Sequence, residues 1–178
     1  GVIEGIAYRP STKDVFLGDV HHRCIWRRDP SGSVVQFHAA DEAILGVFGL
    51  ALDEPRQTLW AAVAAVPEME GYTPEQKGHT GLAEFDLANG ELRRVVALAG
   101  DGRQNALGDL VVAPDGTVYA TDFKAPIIWK LAPGAEEFQK VADAAVFASL
   151  QGLALQGSML VVADHANGLF AVELATGN

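Results

Sequence analysis

The chain has 178 residues, of which 49% are hydrophobic and 20% are charged, a balance typical of a globular domain with a sizeable core. Its formal net charge of -10 predicts an acidic surface that repels phosphate backbones, so nucleic-acid binding is not expected. The longest apolar run, residues 59–67, is much shorter than the about 18 residues that a membrane span needs. One cysteine, Cys24, excludes an internal disulfide bond.

A pattern of a small residue followed by apolar residues occurs four times along the chain. The four segments are Glu4-Gly5-Ile6-Ala7-Tyr8, Phe48-Gly49-Leu50-Ala51-Leu52, Gly108-Asp109-Leu110-Val111-Val112 and Gln151-Gly152-Leu153-Ala154-Leu155. Their starts are separated by about 44 residues in two cases and by about 60 in the third, and periods of about 40 to 50 residues are typical of β-propeller blades. The longer interval predicts an insertion in the second unit.

Each repeat start is followed by turns rich in Gly, Pro and polar residues and by further runs of strand-forming residues. The later strands are predicted at 14–19, 23–29 and 33–38 in the first unit, at 81–87 and 91–98 in the second, at 117–122, 127–131 and 138–141 in the third, and at 159–164 and 168–174 in the fourth. The fourth unit stops at Thr176-Gly177-Asn178, without a fourth strand.

Four-stranded sheets repeated around an axis, with the most apolar strand innermost, fit this order of elements. We therefore predict one all-β propeller domain, with blades at about 1–44, 45–104, 105–147 and 148–178 and with the last blade incomplete. A β-sandwich or barrel is the alternative, because short antiparallel strands with regular turns suit those folds too. Three tryptophans fall within predicted strands and are expected to be core residues: Trp26, Trp60 and Trp129.

The repeat starts resemble the blade motifs of the superfamily that contains senescence marker protein (regucalcin), gluconolactonase and strictosidine synthase. The resemblance rests on residues 4–10, 108–122 and 151–164, and it extends over nearly the whole chain. It implies a β-propeller of the six-bladed type, of which this chain supplies about four blades. Remaining blades or a partner chain would then be needed to close the propeller.

The resemblance also implies a site on the propeller axis, where several members of the superfamily bind calcium or another divalent metal and hydrolyse lactones or esters. Glu4 aligns with the metal-binding glutamate of the first blade, and Gln151 aligns with a later ligand position. Both are therefore predicted metal ligands. Gly108 occupies another aligned position and offers no side-chain ligand. Oxygen donors of this kind suit calcium better than zinc.

Further polar residues are expected on the same axial face. His21 and His22 follow the second predicted strand and are candidate catalytic bases, because neutral imidazoles accept protons near pH 7. The alternative is that both decorate a solvated turn. Asp109 and His165 are candidate substrate-binding residues. Three aspartates recur at one blade position, which favours hydrogen bonds to turn amides over a shared active site: Asp19, Asp122 and Asp164.

The insertion at residues 64–80 connects the second and third strands of the second unit. Long ordered loops often cover binding sites, so we predict a lid over the axial face, with Tyr72 and His79 available to a substrate. A disordered surface loop is the alternative.

Two functions follow from these expectations. The first is a gluconolactonase-like hydrolase, in which a divalent cation polarises the carbonyl of a lactone or ester. The second is a non-catalytic propeller module that binds a small molecule or a protein on the same face. The absence of a side-chain ligand at Gly108 favours the second function.

Overall fold

The computed structural model describes residues 1–177, which form four antiparallel β-sheets that we call blades 1 to 4. Blade 1 contains β1 (Ile3–Arg9), β2 (Asp14–Asp19), β3 (Cys24–Arg28) and β4 (Val34–His38). Blade 2 contains β5 (Gly46–Asp53), β6 (Thr58–Ala64), β7 (Thr80–Asp86) and β8 (Leu92–Ala97). Blade 3 contains β9 (Leu107–Val112), β10 (Val118–Asp122), β11 (Ile128–Leu131) and β12 (Gln139–Ala142). Blade 4 contains β13 (Leu150–Gln156), β14 (Met159–Asp164) and β15 (Gly168–Glu173).

The strands of each blade lie in chain order, and the first strand of each blade contacts the first strand of the next one. This arrangement confirms the predicted propeller, in which β1, β5, β9 and β13 are innermost. Two short 3-10 helices complete the described chain, Glu54–Arg56 and Pro74–Gln76. Within residues 1–177, no helix has the length and apolar character needed to cross a membrane.

The hydrophobic core is divided into three layers, one between each pair of neighbouring blades. Phe16 and Ile25 of blade 1 pack with Leu59 of blade 2, and the next layers join blade 2 to blade 3 and blade 3 to blade 4. Because successive side chains of a strand point to opposite faces, a blade inside the ring contributes to two layers. Each fully buried Leu or Phe side chain stabilises the fold by about 1.5 to 3 kcal/mol.

One of the three tryptophans departs from its prediction. Trp60 and Trp129 are buried, as expected, but Trp26 is only half-buried. Trp26 pairs with Leu17, and Trp129 pairs with Ala120 at the corresponding position of blade 3. Blade 2 covers Trp129, whereas no described blade precedes blade 1 to cover Trp26. The prediction that Trp26 is a core residue is therefore wrong, because its side chain lies on a face of blade 1 that no described blade covers.

The three recurrent aspartates bind turn amides, as predicted. Each carboxylate accepts hydrogen bonds both from the segment that enters its blade and from the turn that follows the second strand. The donors are the amides of Val2 and His22 for Asp19, of Ala106, Lys124 and Ala125 for Asp122, and of Ala148, Ser149, Ala166 and Asn167 for Asp164. Blade 2 has Ala64, which pairs with Gly46, at this position, and the long insertion follows it.

We expect Asp19→Asn to lower the free energy of unfolding by about 2 kcal/mol at pH 7. Burial alone would raise the pKa of Asp19, but hydrogen bonds from His22, Val2 and Trp26 outweigh it and lower the pKa to about 2. Ionised Asp19 therefore contributes stability that is complete above about pH 4 and is lost as the pH falls through 2. Urea unfolding at several pH values measures this difference.

The difference in the free energy of unfolding between Asp19→Asn and the parent should shrink as the pH falls from about 4 towards 2. Glu42→Gln, at an exposed position, serves as the control and should match the parent throughout. A difference that stays the same at every pH would show that the charge of Asp19 does not supply the stability.

Candidate functional site

All four inner strands have irregular pairing near their first residues. In blade 1, Ile3 pairs with Asp19 and Gly5 pairs with Gly18, so Glu4 has no partner. The residues skipped in this way are Glu4, Phe48 and Gly49, Gly108, and Gln151 and Gly152. A β-bulge bends its strand and changes the direction of the side chain at the extra residue. The bulges therefore mark the positions at which the repeat starts turn towards the axis.

The bulged residues of all four blades line one cavity of about 450 Å³. Its lining is made of Glu4, Gly5, Ile6, Phe48, Gly49, Gly108, Asp109, Phe123, Leu150, Gln151 and Gly152. We call it the axial cavity. Small-molecule pockets commonly measure about 300 to 1,000 Å³, so the axial cavity has the size of a small-ligand site. The four repeat starts are thus brought together in space.

Two glycines of the axial cavity are required by close packing between blades. A Cβ atom on Gly5 would collide with the backbone oxygen of Phe48, and a Cβ atom on Gly49 would lie 2.7 Å from Cα of Asp109. A Cβ atom on Gly152, in contrast, would meet its nearest atom, Oδ2 of Asp109, at 3.5 Å, which is ordinary contact. Gly152 therefore borders open space in the cavity, whereas Gly5 and Gly49 hold neighbouring inner strands together.

Asp109 joins blade 3 to the bulge of blade 4. Its Oδ1 accepts a hydrogen bond from the amide of Leu110 at 2.9 Å, and its Oδ2 accepts one from the amide of Leu153 at 3.3 Å. The hydroxyl of Thr121 donates to the carbonyl oxygen of Gln151 at 2.6 Å. Side chains of blade 3 therefore satisfy backbone groups that the bulge leaves without partners in its own sheet. Burial raises the pKa of Asp109 above its ordinary value.

Glu4 is exposed and lines both the axial cavity and an adjoining cavity of about 440 Å³. The adjoining cavity is also bordered by Val66, Pro67 and Glu68 of the insertion. Phe48 and Phe123 line both cavities, with their ring centroids 5.5 Å apart. The axial face thus presents carboxylates beside a pair of aromatic rings.

The insertion packs against blades 1 and 2. Met69 is buried, and its sulfur accepts a hydrogen bond from the amide of Gly46 at 3.1 Å. The amide of Glu70 donates to the carbonyl oxygen of His21 at 2.9 Å. Tyr72 is half-buried and His79 is exposed, and neither side chain is among the lining of the two cavities. Residues 66–68, instead, are the part of the insertion that reaches the axial face.

The three histidines proposed for the site lie at its periphery. Nδ1 of His21 is 2.7 Å from the carbonyl oxygen of Glu68, and Nδ1 of His22 is 2.8 Å from Oδ2 of Asp19. His165 is exposed, and its amide donates to the carbonyl oxygen of Ser149. None of the three lines either described cavity. His21 contacts Glu68, which lines the adjoining cavity.

The donor set of the axial cavity does not by itself fit a calcium ion. Calcium takes about 6 to 8 oxygen ligands, waters included, whereas the side chains of the cavity offer the carboxylates of Glu4 and Asp109 and the amide oxygen of Gln151. The amide nitrogen of Gln151 donates to Oγ of Ser149 at 3.1 Å. No group of three or more His, Cys, Asp or Glu side chains within residues 1–177 is placed to hold a metal ion. A divalent cation at Glu4 and Gln151 would need further oxygen ligands from elsewhere.

The aromatic part of the site was not recognised from the sequence. Phe48 occupies the same repeat position as Glu4 and Gln151, so the repeat alignment contains a signal for its place on the axis. Phe123 follows β10 and carries no such signal, because its approach to Phe48 depends on how blades 2 and 3 pack.

Comparison with known proteins places the chain among propellers by its structure and not by its sequence. No protein-family model matches the chain, and a search of curated proteins gives no match. A hydrazine synthase of Kuenenia stuttgartiensis is 14% identical with a TM-score of 0.75, over 96% of this chain and 52% of that one. A gluconolactonase of Xanthomonas campestris is 19% identical with a TM-score of 0.71, over 95% of this chain and 56% of that one.

A third structure, a protein provisionally named a gluconolactonase, is 17% identical with a TM-score of 0.67, over 97% of this chain and 63% of that one. The chain therefore spans about half to two thirds of the length of the proteins it resembles. At these identities the likeness concerns the fold. It confirms the predicted β-propeller fold, which the chain shares with these proteins.

We expect the carboxyl group of Asp109 to titrate above the ordinary aspartate pKa of 3.8, because burial penalises its charged form. A folded-state pKa above the unfolded value means that ionisation of Asp109 lowers the stability of the parent as the pH rises through that interval. The stability of Asp109→Asn relative to the parent should therefore increase over the same interval. NMR titration of the side-chain carboxyl carbons and urea unfolding measure the two effects.

Asp115→Asn provides a control of opposite sign, because a hydrogen bond from the amide of Thr117 lowers the pKa of this exposed aspartate. Its stability relative to the parent should decrease as the pH rises through the same range. An Asp109 carboxyl that titrates at or below 3.8 would contradict the burial of its charge.

Proposed function

We propose that this chain is a binding module that takes a small polar molecule in its axial cavity. The proposal rests on the convergence of four bulged strand starts on one cavity of about 450 Å³. Ligand pockets are mostly apolar concavities with a few polar groups that fix the orientation of the ligand. The axial cavity combines Glu4, Asp109 and Gln151 with the rings of Phe48 and Phe123.

The lining suggests a polyhydroxylated ligand. Carboxylate oxygens accept hydrogen bonds from hydroxyl groups, and Glu4 is exposed to receive them. The phenyl rings of Phe48 and Phe123 offer apolar faces to the C–H side of a sugar ring. Two of the proteins with a similar fold carry the name gluconolactonase, which makes a sugar lactone or a related sugar ring the first class to test.

Binding without catalysis is favoured by the positions of the titratable groups. His21 and His22, the candidate bases, hydrogen-bond to Glu68 and Asp19 and do not line either described cavity. The described residues also form no cluster of three metal-binding side chains. The arrangement therefore supports recognition of a small molecule more strongly than its hydrolysis.

A metal-dependent lactone or ester hydrolase is the second candidate function. It is favoured by one observation, the presence of Glu4 and Gln151, the predicted calcium ligands, on the same cavity. Hydrolysis by this route requires oxygen ligands in addition to Glu4 and Gln151. The chain spans 56% of the gluconolactonase of Xanthomonas campestris, so the activity would belong to a more complete propeller.

We expect Gly152→Leu to weaken binding of 1,5-anhydro-D-glucitol, a sugar ring without a hydrolysable bond, by at least about 10-fold. The new side chain would extend into the axial cavity, where the nearest atom to its Cβ is 3.5 Å away, so the fold can accept it. Titration calorimetry measures the affinity. Gly100→Leu is the matched control, because a Cβ at Gly100 meets nothing within 4 Å and Gly100 lines neither cavity.

Equal binding by the parent and by folded Gly152→Leu would exclude the axial cavity as the site. The same samples should not accelerate the hydrolysis of D-glucono-1,5-lactone, with or without calcium. Calcium-dependent turnover that disappears in Glu4→Ala would instead favour the hydrolase and contradict a purely binding role.

A further inference from the structure

The cavity that adjoins the axial cavity has about the same size, 440 Å³ against 450 Å³. Both volumes lie within the range of about 300 to 1,000 Å³ that is common for small-molecule pockets. The two cavities share Glu4, Phe48 and Phe123 in their linings. They therefore meet at the pair of aromatic rings and form one site with two compartments.

The two compartments differ in the chemistry of their walls. Beyond the shared residues, the axial cavity has the polar side chains of Asp109 and Gln151 and the backbone of several glycines. The adjoining cavity has four apolar residues in their place: Val2, Val20, Val66 and Pro67. Val20 is only 2% exposed and Val66 is half-buried, so both are part of the packed structure. The adjoining cavity is thus the apolar compartment of the site.

The backbone around the adjoining cavity has little capacity left for a polar ligand. The carbonyl oxygen of Val2 accepts a hydrogen bond from the amide of Val20 at 2.8 Å, and that of Val66 accepts one from the amide of Met69 at 3.0 Å. The carbonyl oxygen of Glu68 is 2.7 Å from Nδ1 of His21. These carbonyl groups are already paired within the protein, so the wall that they form presents mainly hydrocarbon to a ligand.

The charged residues of the adjoining cavity lie on its solvent side. Glu4, Glu68 and Lys124 are all exposed. Nζ of Lys124 is 5.6 Å from the ring centroid of Phe123, where an ammonium group keeps water on its other side. The charges therefore surround the entrance, and the apolar residues form the interior.

The insertion supplies one wall of this compartment. The connection between β6 and β7 covers residues 65–79, whereas the equivalent connections of the other three blades have at most five residues. Residues 66–68 line the adjoining cavity, and the buried side chain of Met69 fixes the segment against Gly46. The apolar compartment therefore depends on the feature that distinguishes blade 2 from the other blades.

We propose that the ligand of the axial cavity carries an uncharged apolar substituent, such as a short alkyl chain, that occupies the adjoining cavity. The inference rests on the proposed function, because it takes the polyhydroxylated ring to lie in the axial cavity. An alkyl derivative of a sugar ring places each half of the molecule against walls of matching chemistry. Burial of the alkyl group strengthens binding, because apolar surface is removed from water.

One molecule that spans both cavities fits this geometry better than two separate ligands. Phe48 and Phe123 line both cavities, so two ligands would compete for the same rings. A single ligand contacts the rings at the junction of its polar and apolar halves. The aromatic pair then recognises the junction, and residues 66–68 select the substituent.

Titration calorimetry of the intact chain with matched sugars tests the proposal. Butyl and methyl β-D-glucopyranoside differ by three methylene groups at one end of the ring, and 6-O-butyl- and 6-O-methyl-D-glucose differ by the same groups at the other end. Each methylene group that leaves water strengthens binding by up to about 4-fold. In at least one pair, we expect the butyl compound to bind at least about 10-fold more tightly than the methyl compound.

Val66→Asp should lower this butyl-to-methyl ratio of affinities to about 2 or less, because a carboxylate replaces part of the apolar wall. Val66 is half-buried and lines only the adjoining cavity, so the fold can accept the change. Pro67→Asp, at an exposed position of the same wall, is a second variant with the same expected result. Val95→Asp, on the exposed outer strand of blade 2, is the matched control and should keep the ratio of the parent.

Gly152→Leu separates this inference from the proposed function, because it should weaken binding of the methyl and butyl compounds alike. Binding of the methyl compounds that depends on Gly152, without a gain from butyl in either pair, would overturn the inference and leave the proposed function standing. Absence of binding by every sugar would overturn both. A gain that persists in folded Val66→Asp and Pro67→Asp would place the alkyl chain outside the adjoining cavity and overturn the inference. Circular dichroism of each variant confirms that the chain remains folded.

Discussion

The close approach of neighbouring inner strands is the constraint on which the rest of this structure depends. At Gly5 and Gly49 the backbone of the adjacent inner strand occupies the space that a Cβ atom would fill. This contact brings the strand starts of different blades to one axis, and the bulges at the same positions direct residues such as Glu4 and Phe48 into the space between them. The residues at the repeat starts therefore determine both how the inner strands pack and which side chains line the axial cavity.

The blades depend on one another because each is a thin sheet with two apolar faces. Asp109 and Thr121 show this dependence in polar terms, since they satisfy backbone groups of blade 4 from blade 3. Ile6 and Leu169 show it in apolar terms, because they remain exposed at the two ends of the described arc. The same repeated surface thus forms both the axial cavity and the apolar layers between the blades.

The local sequence pattern predicts where the strands lie, but it does not predict which strand faces are buried by a neighbouring blade. The run at 159–164 was predicted as a strand and is β14 (Met159–Asp164), and the aspartates at the ends of second strands bind turn amides as their repetition indicated. The half-burial of Trp26 could not be predicted, because burial of a blade face depends on whether another blade adjoins it. The contact of Phe123 with Phe48 likewise arises from packing between blades, and the register shifts that expose Glu4 and Gln151 leave no distinct signature in composition.

Stability of matched glycine variants tests the central constraint most directly. Gly49→Ala places a methyl group against the backbone of Asp109, whereas Gly152→Ala places one beside open cavity, and neither glycine has a positive φ that would add strain. We expect Gly49→Ala to lower the free energy of unfolding by about 3 kcal/mol or more, and Gly152→Ala to change it by less than about 1 kcal/mol. Equal stability of the two variants in urea unfolding would contradict the account.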